Sequence, residues 1–269
     1  MRVNGASADS ISIRDRGFLY GDGVFRTMRA EQGRILHWSS HFNKLQQDCR
    51  ALNIQCPPFA LLTAELEELL REHPQGVFKL IVTRGQGGRG YAPPEDSIST
   101  CIWDVFPLPD YPEEWSMRGV RICLCETRLS HQPRLAGIKH LNRLENVLAA
   151  AEWQNPDVAE GLLCDSEGNV IEGTRSNLFL VRHGELLTPD LSRCGVAGVQ
   201  RQRVLDWAAT RNLPASVGRV TLQDVLDADE VFLTNSVIGL WPVREFQQRH
   251  WQEFPLAQKI AAFLAEGSE

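Results

Sequence analysis

Short apolar segments separated by tight turns recur along this chain of 269 residues and constrain its fold more than any other feature. The clearest pair, residues 161–164 and 169–172, flanks the turn at 165–168, a pattern typical of a β-hairpin. Helical periodicity occurs between such segments, for example at residues 38–52 and 200–211. Because the strands and helices do not alternate in an orderly βαβ series, the pattern predicts an α+β fold.

Composition and charge argue against several classes of protein. The formal net charge is -6 without a basic run, so we expect no nucleic-acid-binding surface. The longest apolar stretches have the length of strands and are interrupted by charges, which argues against a membrane span. The seven cysteines are scattered and the first residues lack a signal peptide, so we expect reduced thiols in the cytoplasm. The seven histidines lack metal-ligand spacing, and we expect no metal site.

A proline-rich segment divides the chain. Residues 107–114 contain three prolines and two adjacent acidic residues, which is typical of a linker between domains. We therefore expect a small N-terminal domain at residues 1–106, a linker at 107–118 and a larger C-terminal domain at 119–269.

In the first of these domains, residues 24–30 alternate as in a strand. Three alternate side chains should share one face of that strand: Phe25, Thr27 and Arg29. The helical segment that follows is expected to begin with Ser39 or Ser40 as its N-cap, because serine hydroxyls accept hydrogen bonds from free amides at a helix start.

Lysine is scarce in this arginine-rich chain, which contains only Lys44, Lys79, Lys139 and Lys259. A desolvated lysine can lose its proton and act as a nucleophile or bind a carbonyl carbon, which arginine does not do. Lys139 follows the apolar residues 135–138 and precedes an amphipathic segment. Its position leaves two interpretations open, a reactive lysine or a surface lysine at the start of a helix.

The glycine-rich residues 84–91 follow a strand and superficially suggest a phosphate-binding loop. Pro93 and Pro94 come next and are incompatible with the helix that a nucleotide-binding loop requires. Two interpretations stay open, a mobile loop that brings Arg84 and Arg89 to an anion, or a plain hairpin loop.

Residues 195–200 are a better candidate for an anion site, because glycines run directly into a helix. The first N–H groups of such a helix, here near Val199 and Gln200, attract negative charge. The small polar residues 234–236, with Asn235 at their centre, end a predicted strand and are further donors. An ordinary helix start and an ordinary turn are the alternatives.

Glu172 lies between two apolar strands and is expected to be partly buried, so its carboxylate needs a partner. That partner is either a protonated ring nitrogen or a neighbouring arginine such as Arg175. An amine-bearing lysine, a buried acid and anion-binding loops together fit pyridoxal phosphate, which has an aldehyde, a pyridine nitrogen and a phosphate.

Four segments also resemble, in the same order, the fold-type IV pyridoxal-phosphate-dependent enzymes, which include branched-chain and D-amino-acid aminotransferases and aminodeoxychorismate lyases. They are residues 20–25 (YGDGVF), 137–139 (GIK), 172–179 (EGTRSNLF) and 195–199 (GVAGV). The resemblance covers nearly the whole chain. It implies a two-domain α+β architecture, pyridoxal 5'-phosphate in the cleft between the domains, and a homodimer.

Within that family, residues 84–91 and 135–145 most resemble the lyases, and Thr27 stands where branched-chain aminotransferases have a glycine. The resemblance therefore implies conversion of 4-amino-4-deoxychorismate to 4-aminobenzoate and pyruvate, a step towards folate. The alternatives are an aminotransferase with the same cofactor, a cofactor-binding protein without turnover, and a binding module without a cofactor.

The resemblance also implies roles for single residues. Lys139 would bind the cofactor and remove the substrate proton, and Glu172 would keep the ring nitrogen protonated. Lys44 stands where the family usually has a phosphate-binding arginine, and it keeps the charge without the bidentate geometry. Thr27, or Lys139 once it carries the proton, would protonate the leaving oxygen. The residues expected to bind the substrate are Tyr20, Arg29, Arg84 and Arg89.

Overall fold

The computed structural model describes residues 1–266, which form two compact units. Among the described residues, the N-terminal unit comprises Met1–Pro109 and Ile138–Asn142, and the C-terminal unit comprises Asp110–Gly137 and Arg143–Glu266. The short segment at 138–142 belongs to the N-terminal unit because His140 forms a β-bridge with Val24. Lys139 is thus part of the N-terminal unit, although its position in the chain had suggested the C-terminal domain. The domain limits predicted from the sequence stay predictions.

Six strands and three helices make up the described N-terminal unit. They are β1 (Arg2–Val3), β2 (Ala6–Ser7), α1 (Arg16–Tyr20), β3 (Gly23–Glu31), β4 (Arg34–Ile35), α2 (Trp38–Ala51), α3 (Phe59–Glu72), β5 (Gly76–Thr83) and β6 (Thr100–Phe106). The strands form an antiparallel sheet in the order β2-β1-β6-β5-β3-β4.

Strand β3 has the two faces that its alternation predicted. Val24, Arg26 and Met28 are buried on the face that packs against α2. The other face is partly exposed and carries the three side chains expected there, Phe25, Thr27 and Arg29. A charged residue on the buried face, Arg26, is the exception to the apolar pattern, and it bears directly on the site.

Helix α2 begins earlier than predicted. Its N-cap is His37, whose backbone is left-handed at φ 61, so the prediction of Ser39 or Ser40 as the cap is wrong. Trp38 is the first residue of the helix, and its ring stacks on Phe59 with ring centroids 5.9 Å apart.

Nine strands and five helices make up the described C-terminal unit. They are α4 (Glu114–Arg118), β7 (Val120–Leu129), α5 (Leu144–Ala150), β8 (Val158–Asp165), β9 (Val170–Gly173), β10 (Asn177–Arg182), β11 (Glu185–Pro189), α6 (Val199–Thr210), β12 (Ala215–Gly218), α7 (Leu222–Leu226), β13 (Glu230–Asn235), β14 (Gly239–Phe246), β15 (Arg249–His250) and α8 (Pro255–Ala265). They include a mixed sheet in the order β12-β11-β10-β13-β14-β7-β8-β9, with β15 beside β14.

Two strands of this sheet show what the local sequence can and cannot indicate. Strands β8 and β9 form the predicted hairpin, and Gly168 provides the positive φ of 85° that its turn needs. Strand β14 was not predicted. It contains Pro242, which is rare inside a sheet, and it pairs in parallel with β7, more than a hundred residues earlier in the chain.

The proline-rich segment predicted as a linker contains helix α4 and packs on the C-terminal unit. Trp115 lies 5.0 Å from Trp241 and Tyr111 lies 4.8 Å from it, measured between ring centroids. Within residues 1–266, no helix has both the length and the apolar character needed to span a membrane. The same residues contain no cluster of three or more side chains suited to hold a metal ion.

Candidate active site

Lys139 is partly buried and its main chain is fixed on both sides. Its carbonyl accepts a hydrogen bond of 3.0 Å from the amide of Phe25, and its own amide donates to Asp48 Oδ2 at 3.1 Å. The Nζ atom lies 4.4 Å from the centroid of the Phe25 ring. Since helix α5 begins only at Leu144, the position is not that of a surface lysine at a helix start.

Thr27 shares a face of the sheet with Phe25. Two residues along one strand point the same way with Cα atoms about 7 Å apart, so the Thr27 side chain neighbours the ring under Lys139. Lys79 is directly opposite Thr27 in the β3–β5 register, and its Nζ lies 5.4 Å from the same ring. The scarcity of lysine was the sole sequence signal for Lys79, because its pairing with Thr27 is a long-range contact.

Lys44 belongs to a buried charged cluster at α2. Its Nζ donates to Oδ1 of Asp48, and Oδ2 of the same carboxylate accepts from Arg26. The side chains of Arg26 and Asp48 are each 2% exposed. Burial is the largest cause that lowers the pKa of Lys44, and the positive charges of Arg26 and Lys139 act in the same direction. An added anion would favour the protonated form of Lys44.

The four residues expected to bind substrate differ in how accessible they are. Arg84 is buried, and its guanidinium donates to Asp22 at 2.8 and 3.0 Å and to the carbonyls of Asn53 and Leu52. These bonds give Arg84 a structural role inside the N-terminal unit. Arg29 is partly exposed on the Thr27 face, and its guanidinium forms an ion pair with Glu31 at 2.6 Å.

Tyr20 and Arg89 lie near the glycine-rich loop. The Tyr20 ring meets Tyr91 edge-on, with centroids 5.4 Å apart, and Arg89 is exposed. Arg16 holds this loop by hydrogen bonds. Its guanidinium donates to the carbonyls of Tyr91 and Gly90 at 2.8 and 3.1 Å. The sequence did not single out Arg16, since nothing local distinguishes it from other arginines.

Glu172 lies in β9 of the C-terminal unit and is 3% exposed. Its Oε2 accepts a hydrogen bond of 2.8 Å from the amide of Val196. Position 195, next to this hydrogen bond, requires glycine for two reasons. A Cβ there would lie 2.7 Å from the Ile171 side chain, and the backbone φ is +85°. The carboxylate and the glycine-rich segment are thus built against each other.

Arg175, the neighbour considered as a structural partner of Glu172, points elsewhere. It donates to the carbonyl of Ala159 at 2.8 Å and lies 3.7 Å from Glu160. The charges of Arg143 and Arg201 act on Glu172 instead. Burial lowers the pKa of Arg143, and the negative charge of Glu172 opposes that shift.

Helix α6 begins at Val199, with Gly198 as its N-cap. Asn177 shapes this start: its Nδ2 donates to the carbonyl of Val196 at 2.7 Å and its Oδ1 accepts from the Gly198 amide at 3.1 Å. A Cβ at Gly198 would lie 2.3 Å from that oxygen, so this position requires glycine. No side chain of residues 1–266 caps the helix, and Val199 and Gln200 provide its first amides.

Thr234 is paired directly with Asn177 in the β10–β13 register. It is 1% exposed, and within residues 1–266 its hydroxyl has no hydrogen-bond partner. Both ends of the neighbouring Asn235 carboxamide are bonded: Oδ1 accepts from the amides of Val237 and Ile238 at 2.8 and 3.0 Å, and Nδ2 donates to the carbonyl of Arg175 at 3.1 Å. Thr234 is therefore the better donor to an anion, although both residues lie in the predicted segment.

These residues fit pyridoxal phosphate. An unpartnered buried hydroxyl at Thr234 and an uncapped helix start suit a phosphate in the C-terminal unit. Glu172 is a buried carboxylate suited to a ring nitrogen. Lys139 is a partly buried amine in the N-terminal unit, and Lys44 is a cation beside it in the same cluster.

The comparison with protein families decides the classification. The family described as Amino-transferase class IV matches residues 23–246. The chain belongs to this family.

This class IV chain is 38% identical over 242 residues to the aminodeoxychorismate lyase of Vibrio harveyi, covering 90% of this chain and 89% of the relative. It is 27% identical over 245 residues to the D-alanine aminotransferase of Bacillus licheniformis, covering 90% of this chain and 85% of the relative.

Solved structures agree with this classification. The 4-amino-4-deoxychorismate lyase of Pseudomonas aeruginosa superposes with a TM-score of 0.94 at 45% identity, covering 98% of this chain and 97% of that one. The branched-chain aminotransferase of Escherichia coli has a TM-score of 0.83 at 20% identity, covering 96% and 89%, and shows the fold alone. The α+β, fold-type IV architecture predicted from the sequence is confirmed. The cofactor's position between the domains stays a prediction.

Proposed function

We propose that this class IV protein is a pyridoxal-phosphate-dependent lyase that converts 4-amino-4-deoxychorismate to 4-aminobenzoate and pyruvate. The main support for this proposal is the similarity to the lyase of Pseudomonas aeruginosa, at 45% identity across 98% of this chain. The lyase of Vibrio harveyi, at 38% identity, supports the same conclusion. Because aminotransferases share the fold, the fold alone would not decide the activity.

The cofactor would be held by the residues described above. When bound, pyridoxal phosphate supplies an aldehyde that binds amines and a ring that accepts electrons. The amine of Lys139 would bind the aldehyde. Glu172 would keep the ring nitrogen protonated, and the charge of Arg143 favours the ionised carboxylate that this task needs. The phosphate would be held by the first amides of α6, the Thr234 hydroxyl and Lys44.

Two residues of the N-terminal unit would move protons. Lys139, once displaced by the substrate amine, would remove the proton from the substrate carbon that bears nitrogen. Thr27, or Lys139 carrying that proton, would then protonate the enolpyruvyl oxygen as it leaves. The position of Phe25 supports this pairing, because its ring lies under the Lys139 ammonium and shares a strand face with Thr27. Loss of the enolpyruvyl group leaves an aromatic ring, so the substrate supplies part of the driving force.

The substrate carboxylates need cations on an accessible face of the sheet or on an exposed loop. Arg29 and Lys79 point to the same side of the sheet as Thr27, and Arg89 is exposed on the glycine-rich loop beside Tyr20. We assign substrate binding to these residues. Arg84, whose donors are bound to Asp22 and to main-chain carbonyls, would have a structural role in the N-terminal unit.

An aminotransferase is the second candidate, favoured by the similarity to the D-alanine aminotransferase of Bacillus licheniformis at 27% identity. The two activities differ in their requirement for a second substrate. A lyase releases pyruvate from 4-amino-4-deoxychorismate alone, whereas an aminotransferase needs a keto acid to accept the amino group.

The homodimer is also a proposal. Helix α5 exposes three large apolar side chains along one side, with exposed fractions of 69% for Leu144, 61% for Val147 and 55% for Leu148. Clustered exposed apolar residues mark association surfaces, and a second copy of this chain is the partner that the family resemblance implies. The cytoplasmic location expected from the scattered cysteines stays a prediction.

Replacing Lys139 tests the proposed activity. Purified wild type should absorb visible light and release pyruvate from 4-amino-4-deoxychorismate without a keto acid. Lys139→Ala should lose both properties, because the amine that binds the aldehyde is gone. Lys259→Ala, on the exposed face of α8, is the matched control and should retain both. Pyruvate release by Lys139→Ala, or a strict need for a keto acid in the wild type, would refute the lyase assignment.

Thr27 can be tested by removing its hydroxyl without changing its shape. If the hydroxyl is the general acid, Thr27→Val should lower kcat for pyruvate release by about two to four powers of ten. Thr27→Ser, which keeps the hydroxyl, should retain most of the rate. A wild-type kcat in Thr27→Val would assign the proton to Lys139 instead.

A charge on α5 should disrupt the dimer. Val147→Lys places a charge in the exposed apolar stripe, and we expect the molar mass measured by sedimentation equilibrium to fall from two chains to one. Gln258→Lys, on the exposed face of α8, is the control and should stay dimeric. A wild type that sediments as a monomer, or a dimeric Val147→Lys, would contradict this assignment.

A further inference from the structure

Asp48 joins the two lysines of the proposed cofactor site through one carboxylate. It lies in α2 with 1% exposure. Its Oδ1 accepts from the Lys44 ammonium, one helical turn earlier on the same helix. Its Oδ2 accepts from the main-chain amide of Lys139 at 3.1 Å, across 91 residues of sequence. Both lysines are therefore tied to the same rigid group.

Arg26 fixes that carboxylate in place. Its guanidinium reaches Asp48 from β3, and both side chains are 2% exposed. A buried ion pair loses several kcal/mol if one partner is removed, so the carboxylate has little freedom to leave this position. The pair stands on two regular elements, a strand and a helix, which hold it more rigidly than loops would.

We propose that Asp48 is a positioning residue for the cofactor, which orients the ammonium of Lys44 and the main chain of Lys139 at the same time. The inference rests on the proposed cofactor function. Lysine has a flexible side chain with four carbons and three rotatable donors, so an ammonium needs a fixed acceptor to have a defined direction. The reactive atom of Lys139 is its Nζ. The hydrogen bond from the Lys139 amide to Asp48 fixes the main chain from which that side chain extends.

Asp48→Asn is the first variant, because asparagine keeps the shape and removes the charge. We expect its affinity for pyridoxal phosphate, titrated by visible absorbance into cofactor-free protein, to fall about ten- to hundredfold. Glu65→Gln is the matched control. Glu65 is a buried carboxylate of the same unit that accepts from the Trp103 indole at 2.8 Å, and its variant should bind pyridoxal phosphate as the wild type does.

Two further measurements separate positioning from a general loss of structure. In a Lys44→Met background, Asp48→Asn should cause a smaller loss of affinity, because one of its two targets is absent. Pyridoxal, which lacks the phosphate, reports on Lys139, and its affinity should also fall in Asp48→Asn. An equal loss in the Lys44→Met background would overturn the role at Lys44, and unchanged pyridoxal binding would overturn the role at Lys139.

Asp48→Asn leaves the buried Arg26 charge without its anionic partner and is expected to lower stability. The double variant Arg26→Met, Asp48→Asn removes both charges and should recover stability, measured by urea unfolding, without recovering cofactor affinity. Recovered affinity in the double variant would overturn the inference. Wild type that binds no pyridoxal phosphate would refute the proposed function itself, whereas wild-type affinity in Asp48→Asn would refute the positioning role alone.

Discussion

The buried carboxylate of Asp48 is the contact that joins β3, α2 and the Lys139 segment in the N-terminal unit. A charge with 1% exposure must be paired, and Arg26, Lys44 and the Lys139 amide share that task. The segment that carries Lys139 is bound to β3 by main-chain hydrogen bonds and to α2 by this carboxylate. One electrostatic requirement thus fixes a strand, a helix and a distant segment together.

In the C-terminal unit, neutral groups and not charges fix the backbone at the start of α6. The Asn177 carboxamide bonds both to the Val196 carbonyl and to the Gly198 amide, and so sets the backbone from which α6 starts. Thr234, its partner across the sheet, contributes a buried hydroxyl. A helix start provides partial positive charge without a side chain, and glycine is required there because a Cβ would clash with Asn177.

The class IV fold supports both lyases and aminotransferases, so the activity has to be read from side chains on the scaffold. On β3 the exposed face carries Phe25, Thr27 and Arg29, with Lys79 opposite on β5. A hydroxyl and several cations on one face suit a substrate that carries carboxylates and loses an oxygen-linked group. An aminotransferase has no leaving oxygen to protonate, and Thr27 would have no comparable task.

Local sequence determined much of this protein. Alternation along β3, the turn that ends in Gly168 and the glycines before α6 are consequences of short-range geometry, and each was predicted correctly. The scarcity of lysine drew attention to Lys139, and the order of motifs indicated the family. Tertiary structure alone decided the partners. The use of Arg84 within the fold, the pairing of Lys79 with Thr27 and the Arg26–Asp48 ion pair join residues far apart in the chain. No local pattern encodes such contacts, because burial and register are set by packing between elements.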